Sequence, residues 1–373
     1  MDRSADASWS APGRIAFEAS AEIHDVVLSF GRTEDVRLSP SNRVVAVVAY
    51  SSNRIHLFSI DVELRTTPSV RLCEHRVLAS PAIVEPHGIA FLGDDHLLVC
   101  SRGADVAIFR VPEPEHGDRP LDPVHVIGGR GLVFAKVKTP SSVDGHDLTA
   151  NRHHILVCNG QWNFVSSHTI HLGSPIEVRH NGNLVDPRIR IPDGVTMSHD
   201  GSCFAVSNHA DGEVLVYANT VAFSSRSGSV ASLQGMVCPH GLRLLSNGTM
   251  LVADAATPYL HVFARSGPEW RGTHLPAKSI RMLDDDRFYD GRYDTREGGI
   301  KGLDVDRSER LLVTTRAGDP LAFYDLPALL ATPGEAPSDA ELRRQRDKAL
   351  ETRDRRRRVS SPGAARIGRR LAP

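Results

Sequence analysis

Short stretches in which apolar and polar residues alternate recur along this chain, and the turns between them are rich in Asn, Asp, Ser and Gly. Six segments can be laid over one another: "EDVRLSPSNRVVAVVAYSSNRIHLF", "HGIAFLGDDHLLVCSRGADVAIF", "DGHDLTANRHHILVCNGQWNFVSSHTI", "DGVTMSHDGSCFAVSNHADGEVLVY", "HGLRLLSNGTMLVADAATPYLHVF" and "KGLDVDRSERLLVTTRAGDPLAFY". Each opens on a turn residue, alternates briefly, turns, continues as a denser apolar run, turns again and ends on Phe, Tyr or Ile. Alternation of period two, punctuated by such turns, predicts antiparallel strands. The opening residues Glu34, His87, Asp144, Asp193, His240 and Lys301 are 47 to 61 residues apart, the spacing of four-stranded propeller blades. A fourth strand fits ahead of most openings, in "HRVLAS", "PRIRI", "SLQGMV" and "KSIRML". The predicted fold is all-β, a six-bladed β-propeller of antiparallel blades over residues 21–330. Only a closed ring removes exposed sheet edges, and "DVVLSF" (Asp25 to Phe30) is expected to supply the outer strand that closes the last blade.

Two segments break the repeat. Asp284 to Gly299 is polar, aromatic and glycine-ended, so a loop lying over one face is expected. Residues 331–373 read as a linker, "TPGEAP", and a basic tail. Ser338 and Glu341 have capping-box spacing for a helix, and the stretch from Ser338 to Pro373 holds twelve basic against five acidic residues. Its end is too polar to bury anything and is expected to be disordered. Residues 1–20 read as a flexible lead. At 40% hydrophobic residues the chain can furnish a sizeable core, and a net charge of -1 gives the whole no nucleic-acid signature. The tail alone would meet an acidic partner or an anionic surface. Of the five cysteines, Cys100, Cys158 and Cys203 lie in apolar runs, where a reduced thiol packs as a small hydrophobe. No signal-like segment and no apolar run near about 18 residues is present. The expectation is a cytoplasmic protein without a membrane span.

In a propeller the innermost strand of each blade starts at one face and lines the axis, and the next strand returns to that face. The six opening residues then form an inner ring of two imidazoles, three carboxylates and one ammonium. The ends of the second strands, Tyr50, Ser101, Asn159, Asn208, Asp254 and Thr315, form an outer ring suited to substrate contact. Three carboxylates sit close together only with a cation between them or with raised pKa values; Lys301 supplies one positive charge, and a divalent metal would supply more. Glu34, His87, Asp144, Asp193 and His240 are therefore candidate ligands of a divalent metal, zinc, manganese or iron ahead of calcium. The plainer reading of each is a turn cap. In a catalytic site the metal would polarise a carbonyl and acidify a bound water. Asp193 or Asp254 would be the general base, and Lys301 and Arg102 would balance developing negative charge. The loop carrying Phe288, Tyr289 and Tyr293 would cover the substrate. His153 and His154 fall in outer turns and are expected to be solvated. No P-loop, G-x-S-x-G elbow or zinc-ribbon cysteine pair is present, and no nucleotide cofactor is expected.

The phrases "EPHG", "IPDG" and "CPHG", with the D/N-G turns that follow, resemble the NHL-repeat and gluconolactonase-like propellers over roughly Asp25 to Leu326. The resemblance implies the fold and leaves function among lactonases, lyases and binding modules. For a gluconolactonase-like enzyme it implies a metal held by a Glu of the first blade and by two Asn and an Asp of later blades. Glu34 matches the first; Asp144 and Asp193 stand where Asn is expected, and His240 where Asp is. The Pro-His phrases at His87 and His240 are also similar to those through which peptidyl-amidoglycolate lyases hold zinc, but no third histidine falls in phase. Two readings stay open. One is a metal-dependent hydrolase or lyase, lactonase-like, acting on a small molecule at the axial face. The other is a non-catalytic propeller that binds a ligand or a protein.

Overall fold

A computed structural model describes residues 9–114, 117, 119–128, 140–218, 228–292 and 297–335. The strands form six separate sheets. Blade 1 comprises Thr33–Leu38, Val44–Ala49, Arg54–Glu63 and Ser69–Ala79, and blade 2 comprises Pro86–Leu92, His96–Ser101, Val106–Arg110 and His125–Ile127. Blade 3 comprises Pro140–Thr149, Arg152–Asn159, Phe164–His171 and Glu177–Leu184. Blade 4 comprises Pro192–Met197, Cys203–Asn208, Glu213–Ala218 and Ala231–Leu233, extended by a parallel fifth strand, Gly272–His274. Blade 5 comprises Pro239–Leu244, Met250–Asp254, Tyr259–Phe263 and Lys278–Arg281. Blade 6 comprises Gly302–Val305, Leu311–Arg316 and Asp319–Asp325, with Arg14–Ile15 outermost. Each innermost strand touches the next, and the last touches the first. The predicted six-bladed ring is present.

The closing strand differs from the expectation. Arg14 pairs with Tyr324 and Ile15 with Phe323, and the Arg14 guanidinium forks onto Asp319 at 2.5 and 2.9 Å. "DVVLSF" instead belongs largely to helix α1, Ala21–Leu28. Ser20 caps that helix by accepting from the Ile23 amide, and Ile23 and Val27, one turn apart, enter the apolar layer between blades 6 and 1. A two-residue strand carries no readable period, and a helical spacing of apolar residues passes for alternation when its cap is overlooked. The propeller thus draws in Arg14 and Ile15, within the stretch where a flexible lead is expected. The outermost strand of blade 3 is likewise Glu177–Leu184, not "PRIRI".

Each interface between blades has its own apolar layer. Leu57, Ile89 and Phe109 join blades 1 and 2, and Ile108 and Ile155 join blades 2 and 3. Leu156, Phe204 and Tyr217 join blades 3 and 4, while Val216, Met250 and Phe263 join blades 4 and 5. Leu260 with Tyr324, and Phe58 with Phe323, complete the circle. Both faces of a blade are covered, so the second strands read as nearly unbroken apolar runs such as "VVAVVA". Each fully buried side chain of this size stabilises the fold by about 1.5–3 kcal/mol. Among the described residues no helix is long and apolar enough to cross a membrane. The tail beyond residue 335, with its capping-box helix and its expected acidic or anionic partner, lies outside the described residues.

Blade 3 corrects another expectation. His153 and His154 are buried in its second strand rather than solvated in a turn. His153 Nδ1 lies 2.7 Å from Asp147, and His154 Nε2 lies 2.8 Å from the Ser167 hydroxyl. Burial, and then the neighbouring His146, push His154 down to about 4. Burial, and then His75 and Arg54, push His56 in blade 1 down to about 3. Unfolded, both protonate near pH 6.5, about the ordinary histidine value. Their contribution to stability is therefore full above about pH 6.5 and is lost as pH falls toward about 4 and 3, at about 1.4 kcal/mol per pH unit for each. Urea midpoints compared at about pH 7 and about pH 5 should show this loss. His154→Leu should flatten the profile; an unchanged slope in that variant would rule out His154 as a contributor.

Candidate functional site

The opening positions of the inner strands of blades 1 to 5 are β-bulges or lie within register shifts. In blade 2, Pro86 pairs with Ser101 and Gly88 with Cys100, which leaves His87 as the extra residue. Ser141 in blade 3 and Asp193 in blade 4 are extra in the same way. Glu34 and His240 lie inside equivalent register shifts in blades 1 and 5. A bulge kinks the strand and re-aims one side chain, and proline is tolerated at the first residue of a strand. Glu34, His87, Asp193 and His240 are thereby presented to one face of the ring, where an axial cavity of about 440 Å³ opens, while the Ser141 hydroxyl turns to the Pro192 carbonyl.

Glu34, His87, Asp193, His240 and Lys301 all line this cavity, and Asp144 does not. The true opening of blade 3 is Ser141, because Pro140 pairs with Asn159 as Pro86 pairs with Ser101. Asp144 and Gly145 imitate the phrase three residues late. Asp144 belongs to a separate cavity with Arg243 and Asp304, where its carboxylate accepts from the Met197 amide at 3.0 Å.

Among the described residues, Glu34, His87 and His240 form a buried cluster whose donor atoms lie within 4.8 Å of one another. Glu34 Oε2 is 3.4 Å from His87 Nε2 and 3.5 Å from His240 Nε2. These gaps are long for hydrogen bonds. They match the edge of a tetrahedron around an ion whose ligands stand about 2.0–2.2 Å away, an edge of about 3.3–3.6 Å. His87 Nδ1 lies 2.6 Å from the Ser141 carbonyl, so that nitrogen carries the proton and Nε2 keeps its lone pair, the arrangement by which an outer partner orients a metal-binding imidazole. Burial, and then Arg102, push His87 down to about 3, so the ring is neutral at pH 7. The donor set fits zinc or a similar divalent ion.

The carboxylates are held ionised. Burial alone would raise Glu34, but Lys301, His87, His240 and Arg32 hold it well below the ordinary range. Arg32 Nε and Lys301 Nζ reach its Oε1 at 2.5 and 3.0 Å, and Lys301 Nζ also reaches Oε2, the oxygen that faces the imidazoles, at 3.1 Å. Glu297 stands 3.1 Å from Arg32 Nη2 and 3.1 Å from the same Lys301 Nζ. Asp193 is likewise lowered against the pull of burial, chiefly by Arg102, which donates to it at 2.8 Å. A carboxylate so stabilised is a weak base, and it suits orienting a water better than taking its proton. His209 stands beside it, Nδ1 at 3.9 Å from Asp193 and 3.3 Å from the Pro239 carbonyl.

The outer ring is shifted by one residue. Ser101, Asn159, Asn208, Asp254 and Thr315 are buried strand ends, and none of them lines the cavity. Asn208 accepts from the Arg190 amide and donates to the Arg188 carbonyl, and Thr315 donates to the Pro320 carbonyl. Asp254, expected as a general base, accepts from the amides of Val237, Cys238 and Ala256, which makes it a structural cap. The next residues, Arg102, Gly160, His209 and Ala255, line the cavity. Tyr50 stands under Arg32, whose guanidinium lies 4.5 Å from its ring centre.

The expected covering loop is only partly a loop. Asp284 caps helix α2, Asp285–Asp290, and Asp285 pairs with Arg281. Phe288 is buried in the layer between blades 5 and 6. Tyr289 is exposed and outside the cavity lining, and Tyr293 lies outside the described residues. Glu297, at the loop's end, is the residue that reaches the site. Glu297, Arg32 and His209 were missed in the sequence. The sole signal was position: two residues before an opening for Arg32, and one past a second strand for His209.

No family model and no curated protein matches the sequence. Solved structures do resemble the fold. One is the Xanthomonas campestris gluconolactonase, described as important in glucose secondary metabolic pathways. It is 14% identical, with a TM-score of 0.52 over 86% of this chain and 96% of that one. Another is a structural-genomics target described by its family as a gluconolactonase, 14% identical, with a TM-score of 0.51 over 79% of this chain and 89% of that one. At these identities the likeness is one of fold: a six-bladed propeller of the gluconolactonase shape.

Proposed function

We propose that the protein is a metal-dependent hydrolase of small polar esters, lactones foremost, working in the axial cavity. The observation that carries this reading is the buried Glu34, His87 and His240 cluster, with donors at ligand spacing and the His87 tautomer fixed by Ser141. A divalent ion bound there supplies Lewis acidity toward a carbonyl and lowers the pKa of water. The chain's own groups do the rest. Arg32 and Lys301 keep Glu34 ionised and tie Glu297 to it. Arg102 pins Asp193, whose free edge orients the attacking water, and His209 accepts the proton. The water oxygen bonds to the acyl carbon, the ring C–O bond breaks, and the proton passes to the departing alkoxide, giving the hydroxy acid. The gluconolactonase shape supports the reaction class by analogy alone.

One observation favours a non-catalytic binding cavity instead: Lys301 already sits on both oxygens of Glu34 at 3.0 and 3.1 Å, so the carboxylate has a cation without any metal. Dialysis against a chelator separates the two. Hydrolysis of D-glucono-1,5-lactone, followed by pH-stat, should vanish on chelation and return with zinc or manganese. Turnover that ignores the chelator, or no turnover with either metal, would sink the hydrolase reading.

A further inference from the structure

The cavity carries a charge that its own residues do not answer. Arg32, Arg102, Arg190 and Lys301 line it against Glu34, Asp193 and Glu297. Those three carboxylates are each paired with Arg32, Arg102 or Lys301. Arg190 has no carboxylate partner among the residues that line the cavity. Its side chain is 50% exposed at the mouth, and its ion-pair partner, Asp211, stands at 3.6 Å, beyond hydrogen-bond distance. Arg102 is also under-used. Among the described residues its side chain donates one hydrogen bond, from Nη2 to Asp193, out of the five N–H donors of a guanidinium. Its side chain is 27% exposed.

Two guanidiniums with unused donors on one small cavity are suited to bidentate recognition of a planar carboxylate. Gln161 and Asn163 on the same rim offer amide donors and acceptors to hydroxyl groups. A volume of about 440 Å³ holds a molecule of sugar-acid size. We propose that the substrate is a small hydroxylated molecule bearing a carboxylate besides its reactive carbonyl, and that Arg190 and Arg102 bind that carboxylate at the mouth of the cavity. This rests on the hydrolase reading for the reactive carbonyl, but the carboxylate assignment does not need turnover. Arg190 is a specificity residue here, since it bears on which molecule enters and touches neither Glu34, His87 nor His240.

The test compares two lactones of the same ring, D-glucaro-1,4-lactone, which carries a carboxylate, and neutral D-glucono-1,4-lactone. Binding is measured by calorimetry at low salt on the full metal-loaded chain, and hydrolysis by pH-stat. The carboxylate-bearing lactone should bind about tenfold tighter or better, and added salt should erode that preference. Arg190→Gln should cut the preference about tenfold, with Arg190→Lys restoring part of it. Arg190 is half-exposed, so folding should survive, and circular dichroism of each variant verifies this. Equal affinity for the two lactones, no binding of the carboxylate-bearing one, or a preference that Arg190→Gln leaves intact would overturn the proposal. Preferential binding without hydrolysis of either lactone would uphold the carboxylate site while removing the hydrolase reading.

Discussion

Alanine at both His87 and His240 is expected to bring bound metal to background and to lower lactone turnover by on the order of a thousandfold. The two imidazoles supply two of the three clustered donors. Their loss leaves only Glu34, whose oxygens Arg32 and Lys301 already occupy. The fold should tolerate the change. His87 is the extra residue of a bulge, and His240 lies inside an equivalent register shift. Glu34 keeps its two cations, so no buried charge is orphaned, which is the usual route to a large loss of stability. Metal content by atomic emission and melting by circular dichroism should therefore part company, the first collapsing and the second shifting by a few degrees at most. Asp144→Ala is the matched control: that carboxylate faces the other cavity, and metal content should not change. Metal retained in the double variant, or lost in Asp144→Ala, would place the ion elsewhere.

Asp144 also shows how far the sequence could be read. The six-fold repeat was legible because alternation and turn residues are local properties, printed in every blade. Phase was most legible where the phrase was complete. "EPHG", "IPDG" and "CPHG" mark their bulges, and His87, Asp193 and His240 reach the cavity. In blade 3 the phrase is Pro140, Ser141, Ser142, with no glycine, and the Asp144–Gly145 pair just beyond drew the alignment three residues off. The outer ring failed for a related reason. Side chains within a strand point toward the adjacent blades, so Asn208 and Asp254 bond to backbone, and only the residue past the strand end turns to the face. His209 and Arg102 are such residues. Glu297 follows a break in the repeat and no period leads to it; its role comes from meeting Lys301 and Arg32 in space. Arg14–Ile15 closes the ring with two residues, too few to carry any pattern.

Gly194→Ala is expected to cost about 3 kcal/mol or more and to lower the thermal midpoint by at least about 5 °C, though it adds one methyl group beside Asp193. The Cβ would lie 1.9 Å from the His240 carbonyl oxygen, 2.5 Å from Leu242 Cδ2 and 2.9 Å from the Ser207 hydroxyl. The first of these is backbone, so relief requires the inner strand of blade 5 to move, and His240 moves with it. The same crowding recurs around the axis. A Cβ on Gly88 would meet Ser142 Cα at 2.6 Å, one on Gly241 the Lys301 carbonyl at 2.5 Å, and one on Gly302 the Asp35 Cα at 2.6 Å. In this position the six blades carry Asp35, Gly88, Ser142, Gly194, Gly241 and Gly302, so each neighbouring pair contains at least one glycine. That is the physical content of the glycine in the repeated phrase. No positive φ is involved at these four glycines; what glycine provides is room for inner strands to converge until their bulged side chains share one cavity. Gly267→Ala, where a Cβ meets nothing within 4 Å, should melt with the parent. If Gly194→Ala did so too, the inner strands would have slack, and the spacing of Glu34, His87 and His240 would not be set by their packing. If instead it melts early and a folded fraction recovered at low temperature holds less metal, then the packing of the axis and the ligand geometry are one constraint, imposed by the residue that follows each bulge.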